Sequence, residues 1–436
     1  MGTITDFLLC AKKLLMYDNY ILIIKLMEVT PIQANNKIAY LQQVKQYNMA
    51  AILKQIWRME QVSRIELVEQ TGLTSGTITN LTHELIELKV IREKESVSGH
   101  VGRKRILLGF DPGYYRIVGL DIGRTSFEIV VSDLCGTILK TVEREILQSS
   151  GPDIVEREII PILQTIKNEA EQSGCRILGL GVGVPGPIDY GRGRLLNPPN
   201  FPGWNGFELR QLLEEELQWL VVIEDDARTS ALAESWYGIG RNIEELVFIT
   251  MGIGIGGGVV SGGDIIRGTN GLCGQVGHMT IVHNGKPCDC GNKGCWETVG
   301  SMPGILSRWA GVGTMDDFVT AVRKGDQEAV HCMDETLQYL ETALINIYNL
   351  YDPQLVVLGG KLLPYLKEYL PAVQSNLQTR LYAFARERLM LRTSTFGASQ
   401  SAYGATALLF GALLSEPLKL LSDLSPTGQE GSNQEV

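Results

Sequence analysis

The chain has 436 residues, of which 44% are hydrophobic and 20% charged, enough apolar material for two or three folded domains. Eight cysteines, three of them within eight residues, exclude the spread-out disulfide framework of a small secreted protein and fit a reducing cytoplasm. The net charge of −10 argues against a nucleic-acid partner only as an average, because residues 45–108 hold ten Lys/Arg and seven Asp/Glu, a local +3 against −13 elsewhere.

The N-terminal stretch Phe7 to Met27 is apolar but carries Lys12, Lys13, Asp18 and Lys25. Its longest uncharged run falls far short of the roughly 20 residues of a membrane span, so no membrane partner is expected. No small-residue cleavage site follows, which argues against a signal peptide. Two readings stand: Met27 is the true start and residues 1–26 an over-long gene start, or the segment adds an amphipathic helix.

Three short helices are predicted next. Ala51, Ile52, Leu53 and Ile56 mark the first. Ser63, with Glu66 three residues on, forms a capping box for the second, and Gly72 turns the chain. Thr74 caps the third, whose buried face is Ile78, Leu81, Leu85 and Leu88. Its other face presents Ser75, Thr77, Thr79, Asn80 and His83, short polar side chains suited to base edges and phosphates. A strand, a Gly-containing turn and a second strand follow, with Arg103, Lys104 and Arg105 near the turn. Two helices joined at a glycine, then a basic hairpin, predict a winged helix-turn-helix that binds DNA.

From Arg116 strands and helices alternate. "RIVGLDIGRTSFEIVVSDLCGTILKTVERE" predicts three strands with tight turns, and a similar unit starts at Leu246 with "LVFITMGIGIGGGVVSGGDIIRG". Two such units with following helices predict a duplicated α/β architecture with a cleft between lobes. The glycines of "MGIGIGGG" suit either a phosphate cradle or a plain hairpin.

His278, Cys288, Cys290 and Cys295 then appear at spacings of ten, two and five. One His and three Cys suit tetrahedral Zn²⁺ with no open position, a structural site. A Cys288–Cys290 disulfide is the strained rival. Cys10, Cys135, Cys175, Cys273 and Cys332 show no ligand spacing. Hydrophobic periodicity is lost after Leu424, and residues 415–436 are expected to be a disordered tail.

The motifs "DIGRTS", "GVGVPGPID", "NPPNFPGW", "EDDARTSALAE", "GIGIGGG", "GQVGH", "CDCGNKGCWE", "PQLVVLGG" and "GASQSAYGAT" resemble, in this order, those of the ROK family of repressors and sugar kinases. The resemblance runs from about Ile38 to Leu413 and is nearest to the xylose-repressor-type branch. It implies an actin-like, sugar-kinase (ribonuclease H-like) ATPase fold with a zinc loop, in a dimer or tetramer. The organisation expected is an extension over 1–44, a winged helix-turn-helix over 45–112 and a two-lobed sugar-binding body over 113–414.

In the family's kinases an Asn-Asp pair meets the sugar, and the Asp is the general base. The resemblance puts Asp225 and Asp226 there, with Arg228 in place of a following Asn. It implies sugar contacts from Gly186, Asn200, Asp225, Asp226, Gln275, His278 and Glu297, where Gln275 stands in place of a Glu. An imidazole has two nitrogens, so His278 can serve both metal and hydroxyl. The first phosphate loop is Asp121, Gly123, Arg124 and Thr125, with Arg124 replacing a Gly. The second is Gly252, Ile253 and Gly254, with Ile253 replacing a Thr. Added bulk and a lost hydroxyl weaken phosphate binding, although Arg124 could itself contact a phosphate.

The leading expectation is a cytoplasmic repressor that binds operator DNA and senses a sugar, xylose first and glucose or another hexose next, with structural Zn²⁺ and no catalysis or ATP. An ATP-dependent sugar kinase fused to a DNA-binding arm is the alternative. A repressor controlled by a partner protein is a third.

Overall fold

The computed structural model describes residues 34–95, 106–147, 150–199, 201–386, 388–397 and 400–422. Helix α1 (Ala34–Met59) starts well before the expected boundary at 45. It is followed by β1 (Val62–Ser63), α2 (Arg64–Thr71) and α3 (Ser75–Glu87). The capping box forms: Ser63 N–H donates to Glu66 Oε2 at 2.8 Å and Glu66 N–H to Ser63 Oγ at 3.3 Å. Gly72 ends α2 at φ 68, a left-handed turn that glycine enters without a Cβ penalty. Strands β2 (Ile91–Glu95) and β3 (Ile106–Phe110) pair antiparallel, and β1 joins the far side of β3. Met49, Ile52, Leu53 and Ile56 of α1 pack with Leu67, Ile78, Leu81 and Leu85, as their helical spacing demands.

The body is built twice. Its first sheet comprises β4 (Tyr115–Ile122), β5 (Ser126–Ser132), β6 (Ile138–Glu145), β7 (Arg176–Val184) and β10 (Val221–Asp225). A small ribbon, β8 (Ile188–Asp189) and β9 (Arg194–Leu195), lies between β7 and β10 in the chain. The second sheet comprises β11 (Leu246–Met251), β12 (Ile255–Ser261), β13 (Asp264–Ile265), β14 (Leu355–Gly359) and β15 (Leu391–Thr393). Counted within each unit, both sheets run in the order 3-2-1-4-5, with the first three strands antiparallel and the last two parallel to the first. This repeat is the duplication expected from the two glycine-turn units.

Helices α4 (Ile160–Gln172) and α5 (Leu209–Leu217) cover the first sheet through Leu163, Ile166, Leu209 and Leu213. On the second, α7 (Met315–Arg323), α8 (Gln327–Tyr351) and α9 (Leu370–Arg380) bury Phe318, Leu344, Ile347 and Val373. Between the sheets run α6 (Asp226–Tyr237) and α10 (Gln400–Ser415). A Cβ at Gly404 would collide with the Thr229 carbonyl, so only glycine lets α10 lie this close to α6.

One expectation is corrected. The segment from 415, expected to be a disordered tail, continues as α11 (Pro417–Ser422), with Leu420 and Leu421 buried. The apolar pattern stops only later, and residues 423–436 lie outside the described ones. The apolar residues of the N-terminal module form one cluster with Leu408, Phe410 and Leu413 of α10. Trp57 of α1 lies 4.6 Å from the Phe410 ring and 5.5 Å from that of Trp236 on α6. Arg241 reaches Glu60 at 2.8 Å and covers the Trp57 ring. Among the described residues, no helix is long and apolar enough to cross a membrane.

Candidate functional site

Strand β10 delivers a run of acids to the point where α6 begins. Asp225 is the N-cap of α6, its Oδ1 accepting from the Ala227 N–H at 3.1 Å. Asp226 is the first helical residue and half-buried. Gly186 lies directly against the Asp225 carboxylate, where a Cβ would collide with Oδ2. Asp121, at the end of β4, faces the same place. Burial, and then the neighbouring Asp226, push both Asp121 and Asp225 up to about 7. Three carboxylates thus converge where the lobes meet, two of them held near neutrality. A protonated carboxyl both donates and accepts, which suits a polyol's hydroxyls.

Behind Asp225 lies a buried charge cluster in which the sequence reading named only Arg228, as the residue in place of a following Asn, and left Glu224 and Arg267 unassigned. Glu224 and Arg228 are fully buried and paired at 3.1 Å. The Glu224 Oε1 also accepts from the Asp225 N–H at 3.0 Å, and its Oε2 from Arg267 Nε at 2.6 Å. The other end of the Arg228 fork donates to the carbonyls of Gly271, at 2.5 Å, and Cys273, at 2.8 Å, and Nη1 also contacts the Tyr190 hydroxyl. The i, i+4 spacing of Glu224 and Arg228 was the one available signal.

The loop that Arg228 holds leads into Gln275, the half-buried N-cap of the short turn Val276–His278. His278 Nδ1 lies 3.6 Å from Cys288 Sγ, and Cys290 Sγ lies 3.7 Å from Cys295 Sγ. The donor atoms of these four residues all fall within 4.8 Å of one another, a group that could hold a metal ion. Gly291 and Gly294, at φ 92 and 71, curl the loop around them. Burial, and then the two neighbouring thiols, push Cys295 up to about 12. Glu297 follows at once, but its Oε2 accepts from the Ile255 N–H at 3.0 Å. That carboxylate oxygen braces the second glycine loop.

Both candidate phosphate loops are turns between antiparallel strands, β4–β5 and β11–β12. In the first, the Gly123 N–H donates to the Ser126 carbonyl at 2.8 Å. Arg124 donates Nε and Nη2 to the Pro199 carbonyl at 3.2 and 3.1 Å, so its guanidinium is engaged by the chain itself. Thr125 Oγ1 accepts from Lys361 Nζ at 3.1 Å, a bond from the second lobe to the first. Lys361 was missed; its place after the Gly-Gly that ends β14 was the signal. In the second loop, the Gly252 N–H donates to the Gly254 carbonyl at 2.9 Å, with Ile253 half-buried between them. Asn200 lies outside the described residues.

On α3, Ser75, Thr79, Asn80 and His83 are exposed as expected. Thr77 is half-buried and its hydroxyl meets that of Thr74 at 2.9 Å, within the helix cap. Arg103, Lys104 and Arg105 lie outside the described residues.

The xylose repressor of Bacillus subtilis (strain 168) is 28% identical over 374 residues, covering 85% of this chain and 97% of that protein. Among solved structures, a ROK family transcriptional regulator, a homologue of the Escherichia coli MLC protein, superposes with a TM-score of 0.75 at 24% identity, over 87% of this chain and 99% of that one. The ROK hexokinase of Thermus thermophilus superposes with a TM-score of 0.60 at 30% identity, over 70% of this chain and 99% of its own. The first two span the N-terminal module as well as the body, whereas the hexokinase matches a shorter part. The ROK family description matches residues 117–411, the whole two-sheet body, and the chain belongs to that family.

Proposed function

We propose that this chain is a sugar-responsive transcriptional repressor of carbohydrate-utilisation genes, with xylose the first candidate inducer. Helices α2 and α3, the turn at Gly72 and the β2–β3 hairpin form a winged helix-turn-helix in which α3 enters the major groove. Asp225, Asp226, Gln275 and His278 hold the sugar, with Gly186, Asn200 and Glu297 around them. A homodimer or tetramer sets two modules at the spacing of operator half-sites, and the protein works in the cytoplasm.

The observation that carries this reading is the placement of α6. Its first residues are the acids of the candidate pocket, and its Trp236 packs on Trp57 of the N-terminal module. Twelve helical residues span about 18 Å, so one rigid element joins pocket and module. A sugar moves the modules only through different affinities for the two arrangements, and ~1–3 kcal/mol of coupling changes operator affinity about 5–150-fold.

The metal is Zn²⁺, held by His278, Cys288, Cys290 and Cys295. Thiolates about 2.3 Å from zinc stand about 3.8 Å apart in a tetrahedron, close to the 3.7 Å between Cys290 and Cys295. Four protein ligands leave no open position, so the ion supplies loop order and no chemistry. The chain performs no phosphoryl transfer, a reading supported by the internal bonds of Arg124 and by Ile253 where the family's kinases carry a Thr.

Fluorescence anisotropy on the chain's own upstream DNA, at fixed salt with titrated pentoses and hexoses, tests the reading. Release by one sugar without ATP is expected; DNA binding that no sugar alters would sink it. Retention of Asp121 and Asp226 favours a second reading, an ATP-dependent sugar kinase fused to a DNA-binding arm. ADP production over a sugar panel would establish that one.

A further inference from the structure

We infer that Arg267, through Glu224, is the positioning residue that transmits the state of the sugar pocket to the N-terminal module; this rests on the sensor reading above. Glu224 is buried, and one carboxylate serves three partners: Arg228, Arg267 and the backbone N–H of Asp225. Arg228 carries the same network to the carbonyls of Gly271 and Cys273, in the loop leading to Gln275 and His278. Both sides of the pocket, the start of α6 and the 271–278 loop, therefore meet at Glu224.

The outward arm is Arg267. It follows β13, whose Ile265 packs against two apolar clusters. One belongs to the second sheet, with Leu246, Phe248 and Val357; the other holds the core of the N-terminal module. Arg267 also lines a cavity of about 330 Å³, whose wall includes Lys54 of α1, Trp236 of α6, and Leu408 and Leu414 of α10. The hairpin that ends at Arg267 thus touches pocket, body and module.

The physical reason for a discrete response lies in the burial. A buried carboxylate is costly unless its partners are all in place, so the cluster has few acceptable arrangements and shifts between them as a unit. Close-packed interiors pass such shifts on, and the cavity beside Arg267 leaves the hairpin room to move against α1. A sugar that draws on Asp225 or on the 271–278 loop changes what Glu224 can hold, and Arg267 carries the change outward.

The test uses the full chain with Arg267→Ala and Arg267→Lys. The Arg267 side chain is 43% exposed, and in its absence Glu224 keeps Arg228 and the Asp225 N–H, so R267A is expected to fold; circular dichroism melting of both variants checks this. Operator affinity is measured by anisotropy with and without D-xylose, or whichever sugar releases the wild-type chain, and sugar affinity by calorimetry without DNA. For R267A, DNA and sugar affinities are expected within about threefold of wild type, while the sugar-induced loss of DNA affinity falls from within about 5–150-fold towards onefold. R267K, which keeps a cation for Glu224, is expected to recover a measurable part of that loss. Wild-type-like release of R267A overturns the inference, as does a sugar affinity lowered more than tenfold, which would make Arg267 part of the pocket. If no sugar releases even the wild-type chain, the sensor reading itself fails and the inference falls with it.

Discussion

Trp57 of the N-terminal module and Trp236 of α6 pack with ring centroids 5.5 Å apart, and Phe410 of α10 closes on both, at 4.6 and 5.7 Å. The module is therefore seated on the same helix that begins at the candidate pocket. Trp57 is half-buried, so Trp57→Ala should cost less than the ~3–5 kcal/mol of a fully buried tryptophan, roughly 1–3 kcal/mol. The loss should appear as early melting of the module. Urea unfolding followed by circular dichroism and by limited proteolysis between 34 and 110 is the check; an unchanged midpoint and cleavage pattern would mean the aromatic cluster does not hold the two parts together.

The His278–Cys288–Cys290–Cys295 group makes a metal prediction. Purified protein should carry about one zinc per chain, and Cys295→Ser should lose most of it and lower the melting temperature. Chelation should reproduce the shift, and added Zn²⁺ should reverse it. Elemental analysis alongside melting curves decides the matter. A metal-free chain whose melting does not respond to Zn²⁺ would leave the cluster as four uncoordinated side chains.

The raised carboxyls make stability depend on pH. Asp225 and Asp121 sit at about 7 in the fold, against 3.8 for a free aspartate, because burial and the adjacent Asp226 disfavour their charged forms. Between those values the folded chain holds protons that the unfolded chain has released. Their contribution is thus fully present below pH 4 and is lost as pH rises towards about 7, by up to ~1.4 kcal/mol per pH unit for each proton. Asp225→Asn keeps an acceptor for the Ala227 N–H and removes one titration. The gap between wild-type and D225N urea midpoints should therefore shift in favour of the variant from pH 5.5 to 7.5. A constant gap would show that Asp225 is ionised throughout.

What could be read from the sequence was local. The Ser63–Glu66 capping box, the left-handed Gly72 and the Cys-rich loop each depend on residues within about 20 positions of each other in the chain, and spacing exposes such features. The duplicated sheets were legible because both units repeat one pattern of strand, glycine turn and strand. The Glu224 cluster was not, because Arg267, Gly271 and Tyr190 are brought to it only by the tertiary fold. Charged side chains carry a strong expectation of exposure, and only fully buried partners overturn it. The docking of Trp57 against Phe410 escaped for the same reason, since some 350 residues separate them. Arg124 was read as a possible phosphate ligand because its alternative partner, the Pro199 carbonyl, lies 75 residues away in sequence.

That bond between Arg124 and Pro199 leads to the last prediction. The β4–β5 turn keeps Asp121, Gly123 and Thr125, the residue types a phosphate loop needs, but the Arg124 guanidinium is committed to Pro199 and Thr125 to Lys361. In the β11–β12 turn, Ile253 offers no hydroxyl. The double variant Arg124→Gly, Ile253→Thr removes the side chain from the first turn and supplies a hydroxyl in the second. A hydrogen bond to a charged phosphate contributes ~1.5–3 kcal/mol, so ATP affinity should rise roughly 10–100-fold above the wild-type value. Calorimetry with ATP and Mg²⁺, with and without sugar, reads the gain. Wild-type chain that already binds ATP tightly would show that these two substitutions do not disable the cleft, and the kinase reading would gain ground. A double variant that binds no better would locate the obstruction at the Lys361–Thr125 bond between the lobes, which Lys361→Ala would then release.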